Sequence, residues 1–420
     1  MRSLLTTGKA PRTPIPPNRK ISHGYEIRRS FRYLISAPNL RPGRGMKRGL
    51  RNCCMHTAVL PVLPKWTAIS ASIAISRRAT TSASSVHRNF QPPIAKYTPP
   101  IRGLVALLPK SWIPYAELMR LDKPTGTYYL YFPCLFSTLL AAPFAVPMAT
   151  PLEVASYAGL FFLGALIMRG AGCAINDLWD RNLDPFVERT KFRPIARKAI
   201  TPQKAIIFTG AQLLAGLGVL LQFPPHCFWY ATPSLLLVAT YPLAKRVTNY
   251  PQAVLGLTFS WGAIMGFSSL GVDLLANNAA ATAAAALYSS CVAWTILYDT
   301  IYAHMDVKDD AVAGIKSIAL KHQGNTKAIL SGLAVAQVGL LAAAGIAAGS
   351  GPIFFVGGCG SAIITLGTMI WRVNINDPRS CWWWFKYGCL FTGGGIATGL
   401  LGEYLAQRFG QYKTIDDGRE

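Results

Sequence analysis

Two segments of this 420-residue chain carry acidic side chains at a spacing that could do chemistry. One is Asn176-Asp177-Leu-Trp-Asp180-Arg-Asn-Leu-Asp184, and the other is Asp299-Thr-Ile-Tyr302-Ala-His-Met-Asp306-Val-Lys-Asp-Asp310. At about 100° per residue on a helix, Asn176, Asp180 and Asp184 fall within ~80° of one another, and Asp299, Tyr302, Asp306 and Asp310 span a similar arc. Each segment therefore reads as a helix extension with its carboxylates along one face, and Pro185 should end the first helix just after its last Asp. Carboxylates one turn apart repel each other, so such a ladder persists either with cations between its members or as a solvated, acid-rich helix end. Two ladders, each in a connection otherwise full of Arg and Lys, favour the first reading. Oxygen ligands at this density suit Mg²⁺, which is commonly shared between one or two Asp side chains and a substrate's phosphates. Arg189, Lys191, Arg193, Lys308 and Lys316 lie near enough in sequence to hold the same phosphate oxygens, Arg by bidentate contacts and Lys as a point charge. The ligand these residues point to is a diphosphate.

The elements that must position these segments are apolar runs, each close to the ~20 residues that a helix needs to cross a ~30 Å hydrocarbon layer. Nine occur, near 127–148, 154–173, 203–222, 226–243, 253–272, 280–298, 327–349, 353–371 and 386–406. Packed in a soluble core, nine such runs would leave no amphipathic helix to face water, so the sequence predicts an all-α polytopic membrane protein. Lys and Arg cluster after the second, fourth, sixth and eighth runs, while the intervening connections 149–153, 223–225, 273–279 and 350–352 contain neither. That asymmetry places both acidic segments on the positively charged side of the membrane together with the N-terminus. Inside the second run, Arg169 stands seven residues before Asn176 and so on roughly the same helical face, where a charge should meet a cavity or an acidic partner rather than lipid.

Net charge separates into two signals. The chain holds 42 Lys+Arg against 18 Asp+Glu, a net +24, yet is 51% hydrophobic and only 14% charged. Such a balance reflects a shortage of acids in an apolar chain, which excludes a nucleic-acid-binding protein, and the apolar content excludes disorder throughout. Residues 1–100 contain 18 basic residues and one acid, Glu26, for +17, which leaves +7 on the remainder. This Arg-, Ser- and Thr-rich, acid-poor stretch has the pattern of a mitochondrial transit peptide, the alternative being a basic tail on anionic lipid. Met46 and Met55 are internal start candidates, and cleavage shortly after Arg77-Arg78 fits the pattern. The expected organisation is a 1–100 address segment, a 101–410 membrane domain and a 411–420 polar tail. The 9 cysteines are scattered and exclude a disulfide scaffold. Cys53 and Cys54 adjoin without a second metal-ligand pair. His304 is a lone histidine with no ligand partner at metal spacing. Gly357-Gly358 and Gly393-Gly-Gly395 lie inside apolar runs, where small residues permit close helix packing.

The two acidic segments resemble the UbiA superfamily of intramembrane aromatic prenyltransferases, whose pattern is N-D-x-x-D-x-x-x-D after the second helix and D-x-x-Y-x-x-x-D-x-x-x-D after the sixth. The resemblance extends over residues 110–405. Arg120-Leu-Asp-Lys-Pro-Thr-Gly126, Arg189-Thr-Lys-Phe-Arg-Pro-Ile195, Tyr241-Pro-Leu-Ala-Lys-Arg246 and Tyr298-Asp-Thr-Ile-Tyr-Ala-His304 look like the branch that prenylates 4-hydroxybenzoate in ubiquinone biosynthesis. The chain departs from that branch at Arg197-Lys198, where Ser-Gly is usual, and Cys381-Trp-Trp-Trp-Phe385 resembles the fungal branch that prenylates polyketide-derived phenolic acids. The resemblance implies nine helices around a central cavity. It also implies Mg²⁺-assisted loss of diphosphate from a polyprenyl diphosphate and attack by a phenolic ring at the carbon ortho to the hydroxyl. Asn176, Asp177, Asp180 and Asp184 would bind one Mg²⁺ and Asp299, Asp306 and Asp310 a second, with Tyr302 orienting the second cluster. Arg189, Arg193 and Lys316 would clamp the diphosphate, with Tyr241 and Lys245 contacting it from another loop. Arg120 is the candidate for the aromatic acid's carboxylate, its alternative role being an interfacial anchor, and Arg169 is assigned to the same end of the site. Trp261, Trp294 and Tyr298 could shield a carbocation through their ring faces, although aromatics at helical spacing more often serve packing or interfacial anchoring. Partners would be the bilayer, the two substrates and other ubiquinone-biosynthesis enzymes, in the mitochondrial inner membrane with the motif loops facing the matrix. Two further readings stay open. One is a secretory-membrane prenyltransferase with another acceptor and a shorter prenyl group. The other is a secondary transporter, which the position of the acids at span ends rather than mid-membrane disfavours.

Overall fold

The structure is a computed structural model that describes residues 97–314 and 316–410, with the side chains of Lys245, Arg246, Val312 and Ala313 outside the described residues. The expected transit peptide, its start and cleavage positions, Cys53, Cys54 and the 411–420 tail also lie outside the described residues.

The regular structure among the described residues is all helical, with no strand among them. In chain order the helices are α1 Ile113–Leu118, α2 Thr125–Ala141, α3 Pro151–Trp179, α4 Pro202–Leu220, α5 His226–Val247, α6 Pro251–Phe259, α7 Gly262–Ser269 and α8 Asn278–Ala303. After these come α9 Val307–Ala313, α10 Ile318–Lys321, α11 Thr326–Ala347, α12 Gly360–Arg372, α13 Pro378–Gly388 and α14 Gly394–Arg408. Wider π-type turns, Phe354–Cys359 and Cys389–Gly393, lead into α12 and α14.

Local sequence explains the starts. Thr150 caps α3 reciprocally with Glu153, and Pro151 sits at the first helical position, where its missing N–H is no loss. Asn277 caps α8 in one direction only, its side-chain oxygen accepting from the Ala280 amide at 3.0 Å. Five helical stretches are long and apolar enough to cross a membrane: Pro151–Trp179, Pro202–Leu220, Asn278–Ala303, Thr326–Ala347 and Phe354–Arg372. The other expected crossings fall on shorter or interrupted helices. α2 has 17 residues, α5 carries Pro233 and Pro242, α6 and α7 are separate, and a π turn joins α13 to α14. Large apolar side chains such as Ile206, Ile207, Leu214, Ile363 and Ile364 are exposed on α4 and α12, as lipid contact requires.

Helices in lipid are held by close packing and interhelical hydrogen bonds rather than by apolar burial. α8 packs most extensively on α11, α2 on α7 and α3 on α4. Ser137 on α2 donates to the Gly262 carbonyl at 2.8 Å and accepts from the Gly266 amide at 3.0 Å, stitching α2 to α7. Ser290 on α8 donates to the Gln337 carbonyl of α11 at 2.8 Å. Near the entry to α12, a methyl group on Gly399 would stand 2.1 Å from the Gly358 amide nitrogen, so α14 approaches the Gly357-Gly358 turn backbone to backbone. All seven described cysteines are buried as free thiols.

Candidate active site

Both acidic segments depart from the single-helix reading. α3 stops at Trp179, so Asn176 and Asp177 are helical, Asp180 is the C-cap and Asp184 begins a short 3₁₀ turn, Asp184–Phe186. Pro185 cannot donate to the carbonyl four residues back and disfavours helix at Asp184, so the chain leaves the helix one turn earlier than the ladder requires. The second segment is broken as well. α8 ends at Ala303, a turn covers 304–306, and Asp306 opens α9, which closes on Gly314 in the left-handed conformation (φ 68). The acids are therefore not stacked along two helix faces. They are gathered by arginines.

Asp177 is fully buried and accepts from Arg120 Nη2 at 2.7 and 2.9 Å and lies 3.0 Å from Arg193 Nη1. The same Arg193 nitrogen donates to Asp184 at 3.0 and 3.1 Å, giving an alternating chain of charges from Arg120 to Asp184. Burial alone would lower the Arg120 pKa, but the facing Asp177 carboxylate outweighs it and raises it above the ordinary value. Burial pushes the Asp184 carboxyl upward, against the opposing pull of Arg193. Arg120 holds its place with a left-handed backbone (φ 60), a strained conformation for a non-glycine residue that sites tolerate when surroundings fix it. The Arg120 guanidinium faces Asp177 and the cavity rather than lipid. In the second cluster, Arg189 Nε donates to Asp306 at 2.8 and 2.9 Å, and its Nη1 donates to Tyr302 Oη at 2.8 Å. One connection, residues 187–198, thus sends Arg189 to the α8–α9 segment and Arg193 to the α3 segment.

These groups line one cavity of 1140 Å³, above the ~300–1,000 Å³ usual for small-molecule sites. Its walls include Asn176, Asp180, Asp299, Asp310, Tyr241 and Lys316, whereas two of the expected phosphate-holding lysines do not reach it: Lys191 pairs instead with Glu188 at 2.7 Å, and Lys308 is not on the lining. Lys316 is exposed and donates to the Val247 carbonyl at 3.3 Å, and the Lys245 side chain lies outside the described residues. Arg169 also lines the cavity. Its Nε is buried with no hydrogen-bond partner, and its guanidinium lies 5.6 Å from the Phe259 ring centre. Gly126 makes room for it, because a methyl group there would stand 2.3 Å from Arg169 Nε.

Sequence reasoning singled out Tyr298 but missed the wall it forms with Tyr129 and Phe385. Tyr129 stacks on Tyr298 at 3.5 Å between ring centres, and Phe385 of α13 lies 5.1 Å from Tyr129 and 4.5 Å from Tyr302. Trp382 and Phe385 both line the cavity, so part of the 381–385 cluster belongs to the site, whereas Trp294 is core packing behind it. Glu117 and Tyr97, also on the lining, had no motif to announce them.

The cavity's donors are the hard oxygens that a divalent cation takes. Among the described residues no three His, Cys, Asp or Glu side chains converge into a ready cation cage. The acids of this cavity offer only hard oxygens, and Asp177, Asp184 and Asp306 each hold an arginine. This fits a cation that takes one or two carboxylates and completes its shell with phosphate oxygens, and not one enclosed by protein alone.

Fold and cavity together define a membrane-embedded protein, all-helical among the described residues, whose cavity is lined by two acid–arginine clusters. The sequence pattern of the UbiA prenyltransferase family matches residues 130–392, and the chain belongs to that family. It is 42% identical over 350 residues to a protein of Schizosaccharomyces pombe named 4-hydroxybenzoate polyprenyltransferase, mitochondrial, covering 82% of this chain and 94% of that one. Proteins of the same name from Saccharomyces cerevisiae (46% identity; 73% of this chain, 80% of that one) and Homo sapiens (40%; 80% and 87%) are similarly related. Among solved structures, a UbiA homolog from Archaeoglobus fulgidus bound to DMAPP and Mg²⁺ superposes with TM-score 0.53 at 16% identity, over 68% of this chain and 98% of that one. A UbiA homolog from Aeropyrum pernix K1 superposes with TM-score 0.51 at 21% identity, over 67% and 98%. These two likenesses concern the fold.

Proposed function

We propose that this protein transfers a polyprenyl group from an all-trans polyprenyl diphosphate to the ring carbon ortho to the hydroxyl of 4-hydroxybenzoate, in ubiquinone biosynthesis. The observation that carries the proposal is one cavity in which two acid–arginine clusters and a separate buried guanidinium, Arg169, share the lining. The first two suit a diphosphate with its cations, and the third suits the carboxylate of an aromatic acid. The curated relatives' shared name supports the same reading.

Asn176, Asp177, Asp180 and Asp184 on one side and Asp299, Asp306 and Asp310 on the other would hold Mg²⁺. When bound with diphosphate, Mg²⁺ would neutralise the charge that builds on the leaving group. Arg189, Arg193 and Lys316 take the diphosphate oxygens and present fixed positive charge as the allylic C–O bond breaks with its electron pair on the diphosphate. Tyr302 orients Arg189 through the 2.8 Å hydrogen bond. Tyr241 lines the cavity from α5, and Lys245 of the same helix would contact the diphosphate or the nascent cation. Arg169 anchors the acceptor, leaving Arg120 as the counter-charge that keeps Asp177 in place. The wall of Tyr129, Tyr298 and Phe385 turns ring faces and apolar edges to the allylic carbon and excludes water. The new C–C bond makes the ring hydrogen acidic, so it departs to a weak base such as the released diphosphate.

The reading includes nine crossings, with the motif connections and N-terminus on the matrix side of the mitochondrial inner membrane, a cleaved presequence within 1–100, and association with other ubiquinone-biosynthesis enzymes. Trp382 and Phe385 on the cavity wall favour one alternative, a polyketide-derived phenolic acid as acceptor. Membranes containing the chain, supplied with Mg²⁺ and an all-trans prenyl diphosphate, should prenylate 4-hydroxybenzoate and lose that activity in EDTA. Product with an orsellinic-type acid alone would select the alternative acceptor.

A further inference from the structure

We propose that Tyr97, Glu117 and Arg197 form a latch that makes the segment before α1 a wall of the site and sets the register of the diphosphate-binding arginines. None of the three belongs to the acidic segments. Glu117, on the last turn of α1, is buried and accepts from two sides: Tyr97 Oη donates to Oε1 at 2.5 Å and Arg197 Nη2 donates to Oε2 at 2.6 Å. The Arg197 guanidinium lies 3.7 Å from the centre of the Tyr97 ring, so cation, ring and carboxylate close a triangle. A second Arg197 nitrogen donates to the Phe192 carbonyl at 2.8 Å. Phe192 stands between Lys191 and Arg193, so this bond grips the connection that carries Arg189 and Arg193.

The latch also reaches the first acidic cluster. The Glu117 carbonyl accepts from both the Arg120 amide, at 3.0 Å, and Arg120 Nη1, at 2.8 Å, while Arg120 Nη2 holds Asp177. Lys198, next to Arg197, is in the left-handed conformation (φ 62), and the Ala199 amide donates to the Pro194 carbonyl at 2.8 Å, closing a tight turn there. Burial, then the Glu117 hydrogen bond, pushes the Tyr97 hydroxyl up to about 12, so it remains a donor to the carboxylate. Tyr97, Thr98 and Pro100 line the cavity with Glu117 and Phe192. Glu117, Arg197 and Tyr97 are therefore positioning residues that act on a diphosphate through Arg189 and Arg193, and the inference rests on reading the cavity as a diphosphate site. It explains why Arg197 stands at this point of the chain: it serves the latch and does not face the acceptor. Presequence removal must then spare Tyr97.

The test uses the full-length chain in membranes, with Tyr97→Phe, Glu117→Gln, Arg197→Met and Arg197→Lys. Losing a hydrogen bond to a charged partner should raise the KM for prenyl diphosphate, and weaken inhibition by inorganic pyrophosphate, by about tenfold in Glu117→Gln and Arg197→Met. The KM for the aromatic acid should stay put, Tyr97→Phe should show a smaller shift of the same kind, and Arg197→Lys should recover part of the loss. Wild-type pyrophosphate inhibition in Glu117→Gln and Arg197→Met would overturn the latch, as would equal loss of both KM values without rescue by lysine. An inactive wild-type chain that pyrophosphate also fails to protect from proteolysis would instead overturn the diphosphate reading beneath it. N-terminal sequencing of the mature protein should find a start at or before Tyr97, and a start beyond it would overturn the proposal.

Discussion

Replacing Gly126 by alanine adds one methyl group at a point where the structure leaves no room for it. The new carbon would lie 2.3 Å from Arg169 Nε, 2.7 Å from its Nη2 and 2.9 Å from its Cζ. Ordinary contact begins at 3.4 Å, so the guanidinium must retreat by about 1.1 Å. All three atoms belong to the far end of a flexible side chain, so the fold yields at a cost of about 1 kcal/mol, the low end for overpacking. The chemistry is less forgiving. A reacting group misplaced by about 1 Å costs up to ~100-fold in rate. If Arg169 holds the carboxylate of the acceptor, Gly126→Ala should raise the KM for 4-hydroxybenzoate about 10- to 100-fold and leave the KM for prenyl diphosphate unchanged, since the diphosphate arginines lie on another connection. The assay is prenyl transfer in membranes with each substrate varied in turn. Arg169→Gln should show the same selective loss, and the double variant should be no worse than Arg169→Gln, because the methyl group then has no guanidinium to displace. A wild-type acceptor KM in Gly126→Ala, or losses that add in the double variant, would refute this reasoning.

Three further outcomes follow from the geometry. Arg193→Gln leaves Asp184 buried without its guanidinium partner and Asp177 with one of two, so it should cost about 3 kcal/mol, read as a lowered thermal midpoint in detergent, and abolish prenyl transfer. Tyr302→Phe removes the hydroxyl that accepts from Arg189 but keeps the ring against Phe385, so kcat/KM should fall about tenfold with stability unchanged. Gly399→Ala forces a methyl group onto the Gly358 backbone, which cannot swing aside as a side chain does, so it should destabilise by about 3 kcal/mol in a thermal-shift measurement.

The acids, the cavity-lining Arg189 and Arg193 and the helical character were legible in the sequence because each is a local signal: a repeat of Asp, a basic connection, an apolar run. Arg169 was legible too, because a charge inside an apolar run has few places to go. The geometry that joins them was not. Arg120 meets Asp177 across 57 residues and Arg189 meets Asp306 across 117, distances at which helical periodicity carries no information. The continuous ladders failed for a related reason. Pro185 ends α3 early, and Asp184, outside the helix, pairs with Arg193. Glu117 and Tyr97 were invisible because one reads as an ordinary acid on a short amphipathic helix and the other sits in an irregular segment. Phe385 was noticed for its cluster of tryptophans, while its place on the cavity wall depends on how α13 packs against α8.

The central claim is that the two acidic segments act together in one cavity to move a prenyl group onto the ring carbon of an aromatic acid. It is tested most directly by the product formed from 4-hydroxybenzoate, an all-trans polyprenyl diphosphate and Mg²⁺ by the purified chain in lipid vesicles, identified by mass spectrometry and ring-proton NMR. The account predicts the acid prenylated at carbon ortho to the hydroxyl, with one ring proton lost, and no product from Asp177→Ala or Asp306→Ala inserted at wild-type levels. Product retained in either variant, or a prenyl group found on oxygen with all ring protons intact, would contradict it.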